Sequence, residues 1–484
     1  MPPEREEKLS PAAVRRLLGG SDDLNERELS LGGPGGPRAA LFYIEGLVSG
    51  ETVAREVIFP AGDPARFPRC GTTARAVAAI EGGAVFCGGV RRRESLEDVA
   101  QDLLAGFCAL VFDGLALCFE TKSTQQRSVE APTVEKSVKG PKEAFTENYR
   151  VNTALLRRRL RDPALRLEER CLGRRSGTRV GLCYLEGAAD PRVVEQARAR
   201  LGQIDVEAVL SSGSVEELAA GSRRSPFPQV LTTERPDKLA LGLLEGRVAL
   251  LVEGLPMGFL LPTDISEFFR VPEDDSIHYL AASFLTLLRY GAVFISVFLP
   301  AVYVAVAVYH RQMIPVKLLL SIIASRQDVP FSTAAEVLGM LLTFELLQEA
   351  GLRLPQTVGQ TVSIIGGLVV GQAAVEAKVV SPVVVIVVAL AGIAGFTIPN
   401  HDMSLALRLC RLGAAVLSLC FGLYGIMLGL ALLLCHLASL ETFGVAYTQP
   451  FTGGGGLRAL IKPPVSANRR RKPYLTPGRE SEPD

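Results

Sequence analysis

Residues 379–400 read VVSPVVVIVVALAGIAGFTIPN and contain no Asp, Glu, Lys or Arg. An α-helix needs about 20 predominantly apolar residues to cross the hydrocarbon core of a bilayer. A helix in the core of a soluble protein is rarely apolar on every face over such a length. The stretch therefore predicts a membrane-spanning helix.

Three more windows are free of the same charged residues, at 290–309, 354–375 and 412–435. Their length and composition again meet the requirement for crossing a bilayer. The sequence thus predicts a transmembrane helical domain at 279–440. Its predicted spans are about 288–309, 354–375, 379–400 and 412–435.

The segment 314–350 lies between two of these spans and carries charges. Its three acids, Glu336, Glu345 and Glu349, are costly to place against lipid. Two arrangements stay open for them. They form a polar seam between helices inside the membrane, or they point into water from an amphipathic surface helix. The segment is accordingly predicted to be amphipathic or re-entrant.

The N-terminal half contains an internal repeat. Residues 41–46 (LFYIEG) and 182–187 (LCYLEG) are short apolar runs that end in an acid and a glycine. Residues 103–114 (LLAGFCALVFDG) and 243–254 (LLEGRVALLVEG) share a second pattern, in which Leu-Leu and a glycine precede another such run. Each run is typical of a β-strand that stops at a turn.

The spacing within the two copies is nearly equal. Glu45 and Asp113 lie 68 residues apart, and Glu186 and Glu253 lie 67 residues apart. Matching order and spacing predict two related α/β units. The four acids are interpreted as turn residues rather than catalytic ones, because each stands before a glycine at the end of a strand.

These patterns give the fold class: two related soluble α/β units followed by a multi-span transmembrane helical bundle. The predicted domains are a leader and helix at 1–38, the first unit at 39–123, an extended linker and basic helix at 124–177, the second unit at 178–270, the membrane domain at 279–440 and a flexible basic tail at 441–484.

The linker carries a dense basic cluster, Arg157, Arg158, Arg159 and Arg161. These residues crowd the end of a helix predicted to start at Pro141, where positive charge complements the helix dipole. Such a cluster is a candidate docking surface for acidic partners or lipid headgroups. It is also the pattern of a solvated helix face.

Composition and motifs disfavour several other classes of protein. Lys and Arg number 52 and Asp and Glu number 51, and a net charge of only +1 gives no general attraction to nucleic acid. The sequence has no phosphate-binding loop, nucleophile elbow or zinc-protease motif. Its nine cysteines have no metal-binding spacing and are interpreted as reduced thiols. The sequence indicates neither an enzyme nor a metal or cofactor site.

Both ends of the chain bear on its orientation. The N-terminus is charged and is not followed by the apolar run of a signal peptide. The tail after 457 is rich in Lys and Arg, which favours a cytoplasmic C-terminus. With four spans, the soluble N-terminal half is expected on the cytoplasmic side as well.

Several blocks resemble the A subunit of the GerA-type spore germinant receptors, members of the GerA spore germination protein family. The resemblance covers roughly 20–451 and is looser near 90–93. The blocks are SDDLNERELSLGG (21–33), RSVEAPTVEKSVKGPKEAFTENYRVNTALLRRR (127–159), FLPAVYVAVAVYHRQMIPVKLLLSIIASRQDVPF (298–331), TFELLQEAGLRLPQTVGQTVSIIGGLVVGQAAVEAKVVSP (343–382), GFTIPN (395–400), LYGIMLGL (423–430) and SLETFGVAY (439–447).

The resemblance implies a protein of the inner membrane of the bacterial spore, surrounded by membrane lipids. It implies two partners, a transporter-like B subunit that senses a nutrient and a lipoprotein C subunit. It further implies a homo-oligomer that forms the path for ions whose release triggers germination.

A pore made by several chains needs small residues for close helix packing and apolar side chains to close it. Residues 357–376 contain both. An alternative is that the apolar side chains face neighbouring helices and that Glu376 ends a loop beside Lys378. The pore-lining candidates are Ile364, Ile365, Leu368 and Val369 as the constriction, and Gln360, Gln372 and Glu376 as polar rings.

Three further hypotheses stay open. The chain could be a paralogous spoVA-associated spore membrane channel that amplifies germination, or a non-conducting scaffold of the receptor complex. A secondary transporter is disfavoured, because the four apolar windows show no repeated membrane halves.

Overall fold

The N-terminal half of the computed structural model contains two α/β units. The described residues are 8–67, 72–85, 89–123, 132, 135, 139–219, 224–353, 371–452, 460–462, 464, 472 and 475. The first unit consists of α1 (Pro11–Leu18), β1 (Leu24–Ser30), β2 (Arg38–Ile44), α2 (Gly50–Val53), a π-helical turn (Ala54–Ile58), α3 (Phe59–Gly62), α4 (Thr73–Glu81), β3 (Val90–Arg93), α5 (Leu96–Leu104), β4 (Phe107–Phe112) and β5 (Leu115–Glu120).

The second unit follows the helix α6 (Tyr149–Arg159), which begins eight residues later than predicted, with Asn148 as its N-cap. The second unit consists of β6 (Leu165–Leu172), β7 (Thr178–Leu185), α7 (Pro191–Gln203), α8 (Ser212–Ala219), β8 (Leu231–Thr233), α9 (Pro236–Leu244), β9 (Val248–Val252) and β10 (Gly258–Leu261).

The two sheets have the same strand order. It is β1-β2-β4-β5-β3 in the first and β6-β7-β9-β10-β8 in the second, so each strand takes the place of the strand five earlier. All neighbouring strands are antiparallel. The predicted relation between two α/β units is confirmed.

The turns after β2 and β7 show why the repeat is visible in the sequence. Gly46 and Gly187 have φ angles of 87° and 82°. Residues with a side chain rarely adopt this conformation, so each turn requires its glycine. Glu45 and Glu186 precede these glycines and are turn residues, as predicted.

The first sheet is covered by helices on both faces. Successive β4 side chains point to opposite faces, and all six are buried. Phe107, Ala109 and Val111 pack with α1 and α5. Cys108 and Leu110 pack with α2 to α4. Because both faces are buried, the strand is a continuous apolar run, which is how it is recognised in the sequence.

The structure places both unit boundaries earlier than predicted. The strand β1 lies within 1–38 and pairs along its whole length with β2. The strand β6 lies within 124–177 and pairs with β7. Both strands are charged and only partly buried edge strands, so their apolar signal is weak.

The C-terminal half is helical. Two short 3₁₀ helices (Ile265–Phe269 and Pro272–Ser276) lead into it from the second unit. Its elements are α10 (Tyr279–Val308), α11 (Val316–Arg326), α12 (Thr333–Arg353), α13 (371–376), α14 (Pro382–Phe396), α15 (His401–Phe421), α16 (Leu423–Ser439), β11 (Glu441–Thr442), β12 (Val445–Ala446) and α17 (Gln449–Thr452).

Among the described residues, two helices are long and apolar enough to cross a membrane, α10 with 30 residues and α15 with 21. The helices α14 and α16 are apolar but shorter. The predicted span 354–375 lies outside the described residues except for 371–375. The predicted spans at about 288–309 and 379–400 overlap α10 and α14.

The predicted span 412–435 is wrong as a single helix. It covers the end of α15 and most of α16, which meet at Gly422 with φ 60° and ψ −135°. These angles end a right-handed helix. The charge-free window starts at 412 only because Arg411 precedes it, whereas α15 continues back through Arg411 to His401.

The start of the predicted flexible tail 441–484 is ordered. It starts with the β11–β12 hairpin, whose Phe443 is 1% exposed and packs into the second unit. The Tyr447 hydroxyl donates to the Pro228 carbonyl at 2.8 Å, and the Ile265 amide donates to the Tyr447 carbonyl at 2.9 Å. The chain after α16 is therefore attached to the second unit.

Candidate functional site in the helical domain

Two of the three acids of α12, Glu336 and Glu345, lie on different sides of the helix. Ser332 starts the helix, and its hydroxyl accepts a hydrogen bond from the Ala335 amide. Glu336 and Glu345 are nine residues apart, which places them on opposite sides of a helix with about 3.6 residues per turn. They therefore contact different neighbours.

Glu336 is 3% exposed and joins three helices. Its Oε1 accepts from Arg326 Nη2 of α11 at 2.9 Å. Its Oε2 accepts from the backbone amide of Ser381, the N-cap of α14, at 2.8 Å. A carboxylate at a helix N-terminus is favourable, because it meets unpaired amides and the positive end of the helix dipole.

Glu345 holds α12 against α15. Its carboxylate accepts from Arg408 Nη1 at 3.0 Å and from Arg411. The Arg411 side chain is 1% exposed and lies 6.0 Å from the Phe344 ring. Gln348, one residue before Glu349, accepts from Arg408 at 2.8 Å.

Glu336 and Glu345 therefore each lie between helices and form ion pairs there, and the location of this seam inside a membrane stays a prediction. Glu349, by contrast, is exposed on α12. The partners Arg326, Arg408 and Arg411 are not among the site residues predicted from the sequence, because arginines bound the charge-free windows that predict the spans. Arg408 and Arg411 stand inside the apolar sequence of α15, which is the signal that could have identified them.

Of the pore-lining candidates, Gln372 and Glu376 lie on α13. Both are exposed, and Gln372 Nε2 donates to Glu376 Oε1 at 2.9 Å. Lys378 pairs with Asp328 rather than with Glu376. The other candidates, Gln360, Ile364, Ile365, Leu368 and Val369, lie outside the described residues.

The basic cluster of α6 does not form one surface. Arg157 is 2% exposed and is paired with Asp23 at 2.8 Å, so its predicted role in docking is wrong. Arg158 is half-buried, whereas Arg159 and Arg161 are exposed, and Arg159 pairs with Glu143. Arg157 turns inward because the helix end lies against the first unit.

Comparison with known proteins gives the family. The family described as "Bacillus/Clostridium GerA spore germination protein" matches residues 12–474. The chain belongs to the GerA family. The matched GerA family is one of germination proteins rather than a class of enzymes.

Two relatives from Bacillus subtilis (strain 168) show the extent of the similarity. Spore germination protein KA is 37% identical over 95% of this chain and 85% of its own length. The uncharacterized membrane protein YfkQ is 42% identical over 73% of this chain and 69% of its own length. The similarity to protein KA therefore includes both the soluble and the helical half.

Among solved structures, one match is the N-terminal domain of the A subunit of the Bacillus megaterium spore germinant receptor GerK3. It covers 54% of this chain and 98% of that domain, with 31% identity and a TM-score of 0.43.

Proposed function

We propose that this GerA-family chain is the A subunit of a spore nutrient-germinant receptor and that copies of it form the ion-conducting path. The proposed partners are a transporter-like B subunit and a lipoprotein C subunit. The proposed place is the inner membrane of the spore, with the soluble units on the core side. The proposal that the chain conducts ions rests on the exposed polar side chains of α13, Gln372 and Glu376.

A membrane location is supported by where apolar side chains are exposed. Among the described residues, the large exposed apolar side chains lie between Leu280 and Leu434 except for Phe59, Leu210, Phe451 and Ile461. Exposed apolar surface on this scale marks a membrane or partner contact. The 30 residues of α10 extend about 45 Å, more than the hydrocarbon core needs.

An oligomer is supported by the exposed side of α12. Ala335, Gly339, Leu342 and Leu346 are exposed and follow one another at spacings of four, three and four. Residues at these spacings share one face of a helix. Small residues beside leucines allow close helix contact in a membrane. A second copy of the chain packed on this face would cover it.

The conducting role follows from Glu376 and Gln372. Both side chains are exposed in the single chain, and facing lipid would be costly for a carboxylate. In a ring of copies, α13 would instead face a central aqueous path, where repeated Glu376 carboxylates favour cations. Ile364, Ile365, Leu368 and Val369 precede this surface in the chain and are the proposed constriction, with Gln360 on its other side.

The Glu376→Gln substitution is expected to lower cation conductance about two-fold or more, because it removes one negative charge per subunit from the path. Current through planar bilayers containing the purified full chain measures this. The control is Glu253→Gln, which removes an exposed acid from a turn of the second unit. Equal conductance in Glu376→Gln and the unmodified chain would argue against the polar ring.

The Val369→Ala substitution is expected to raise the resting current, because a smaller apolar side chain weakens closure by dewetting. In spores, the same change should cause spontaneous germination. Unchanged resting current and stable dormancy would contradict the assigned constriction.

The second candidate function is a non-conducting scaffold, favoured by the ion pairs that tie α11, α12, α14 and α15 together. Absence of current from the unmodified chain, with oligomers demonstrated in the bilayer, would favour that role. A spoVA-associated channel is the remaining alternative. Genes for B and C subunits beside the gene for this chain would favour the receptor subunit.

A further inference from the structure

The junction between the second unit and α10 carries a group of buried acids. Asp264 is fully buried, and Glu245 and Glu267 have side chains only 13% and 12% exposed. All three contact the guanidinium of Arg247, at 3.0 to 3.3 Å. Arg270, whose side chain is 33% exposed, also pairs with Glu267 at 3.2 Å. Two arginines thus stand against three acids, so one further positive charge balances the group.

Lys472 of the C-terminal segment supplies positive charge. Its Nζ lies 2.8 Å from Glu245 and 2.7 Å from Glu267, and its side chain is 13% exposed. Its backbone amide donates to the Glu245 carbonyl at 3.2 Å. Burial raises the pKa of Glu267, but Lys472 and Arg247 hold that pKa well below its ordinary value.

Lys462, ten residues before Lys472 in the chain, contacts residues at the start of α10 and just before it. The Nζ of Lys462 donates to the Asp274 carbonyl and to Asp275 Oδ1, both at 2.6 Å. Its amide donates to the hydroxyl of Ser283 in α10 at 2.9 Å. Asp274 in turn binds Arg289 of α10 at 2.6 Å.

We propose that Lys462 and Lys472 act together as an intramolecular strap on the junction between the second unit and α10. Lys472 joins Glu245 to Glu267, and Lys462 joins Asp275 to Ser283. The docking surface of the strap is the acidic junction formed by Glu245, Glu267 and Asp275 together with the Asp274 carbonyl. The strap limits movement between the soluble half and the helical half. This role stands whether or not the chain conducts ions.

The two lysines contribute differently. The Lys472 ammonium is shielded from water, so its removal leaves the buried carboxylates of Glu245 and Glu267 with one cationic partner fewer. The pair of Lys462 with Asp275 is more open, since the Asp275 side chain is 56% exposed. Pairs that face water are weakened by salt more than buried pairs are. The strap should therefore loosen at Lys462 first as ionic strength rises.

Hydrogen exchange of the full chain in nanodiscs tests the strap. Lys472→Gln and the double change with Lys462→Gln are expected to speed exchange of peptides over 262–290 about ten-fold or more, from the loss of charged hydrogen bonds. Lys472→Arg keeps the positive charge and should stay close to the unmodified chain. Arg175→Gln, which removes an exposed charge from a turn of the second unit, is the matched control.

Peptides over 96–119 of the first unit report whether each variant is folded, because they contain the buried strand β4. Slow exchange there, with fast exchange confined to 262–290 in the glutamine variants, supports the strap. Unchanged exchange at 262–290 in the double variant overturns it. Exchange that rises equally in both regions also overturns it, because Lys472 would then support the whole fold instead of the junction.

Discussion

The Glu345→Ala substitution is expected to lower the free energy of unfolding of the helical domain by about 3–5 kcal/mol, the cost of removing one partner from a buried ion pair. The loss comes from Arg411, whose side chain is 1% exposed and would keep its charge without a carboxylate. Arg408 would lose a partner as well. Unfolding by SDS in mixed micelles, followed by circular dichroism, measures the change.

The control for Glu345→Ala is Glu376→Ala, which removes an exposed carboxylate from the same domain and should change stability by no more than about 0.5 kcal/mol. The double variant with Arg411→Ala tests the pair itself. It should lose less than the sum of the two single losses, because neither charge is then left without the other. Strict additivity would show that Glu345 and Arg411 do not depend on each other.

The acids of this site were predictable from the sequence, and their partners were not. Glu336 and Glu345 interrupt an apolar region, and the cost of a carboxylate in lipid is enough to single them out. Which arginine each acid meets depends on how the helices pack. Glu345 and Arg411 are 66 residues apart, and the intervening chain gives no local signal of their contact. The pairing is a tertiary property.

The predicted span 412–435 is wrong because length and composition do not reveal where tertiary structure ends a helix. The apolar window across Gly422 satisfies the length and composition of a span, yet one glycine with a positive φ divides it into α15 and α16. A Cβ at Gly422 would lie 3.2 Å from Tyr309 and from His310. The α/β repeat could be predicted correctly from the sequence, because its strands and turn glycines recur at nearly the same spacing in both units.

The Asp23→Ala substitution is the other change with a large expected effect, again about 3–5 kcal/mol lost from the stability of the soluble half. Asp23 is fully buried and binds Arg157 through both oxygens, each at 2.8 Å. The Ser21 hydroxyl oxygen accepts from Arg157 Nη2 at 2.7 Å and from the Leu167 amide of β6 at 3.1 Å. The pair therefore fastens the first unit to α6 and to the first strand of the second unit.

Thermal unfolding of the full chain, followed by circular dichroism, measures the effect of Asp23→Ala, with Arg159→Ala as the control. Arg159 lies on α6, as Arg157 does, but it is exposed. Its ion pair with Glu143 should contribute no more than about 1 kcal/mol to stability. If Arg159→Ala destabilised the chain as much as Asp23→Ala, burial would not be the cause. A larger loss of stability in Asp23→Ala than in Arg159→Ala would show that the residues of the basic cluster differ in their structural contribution. Arg157 is buried and holds the units together, whereas Arg159 and Arg161 are exposed.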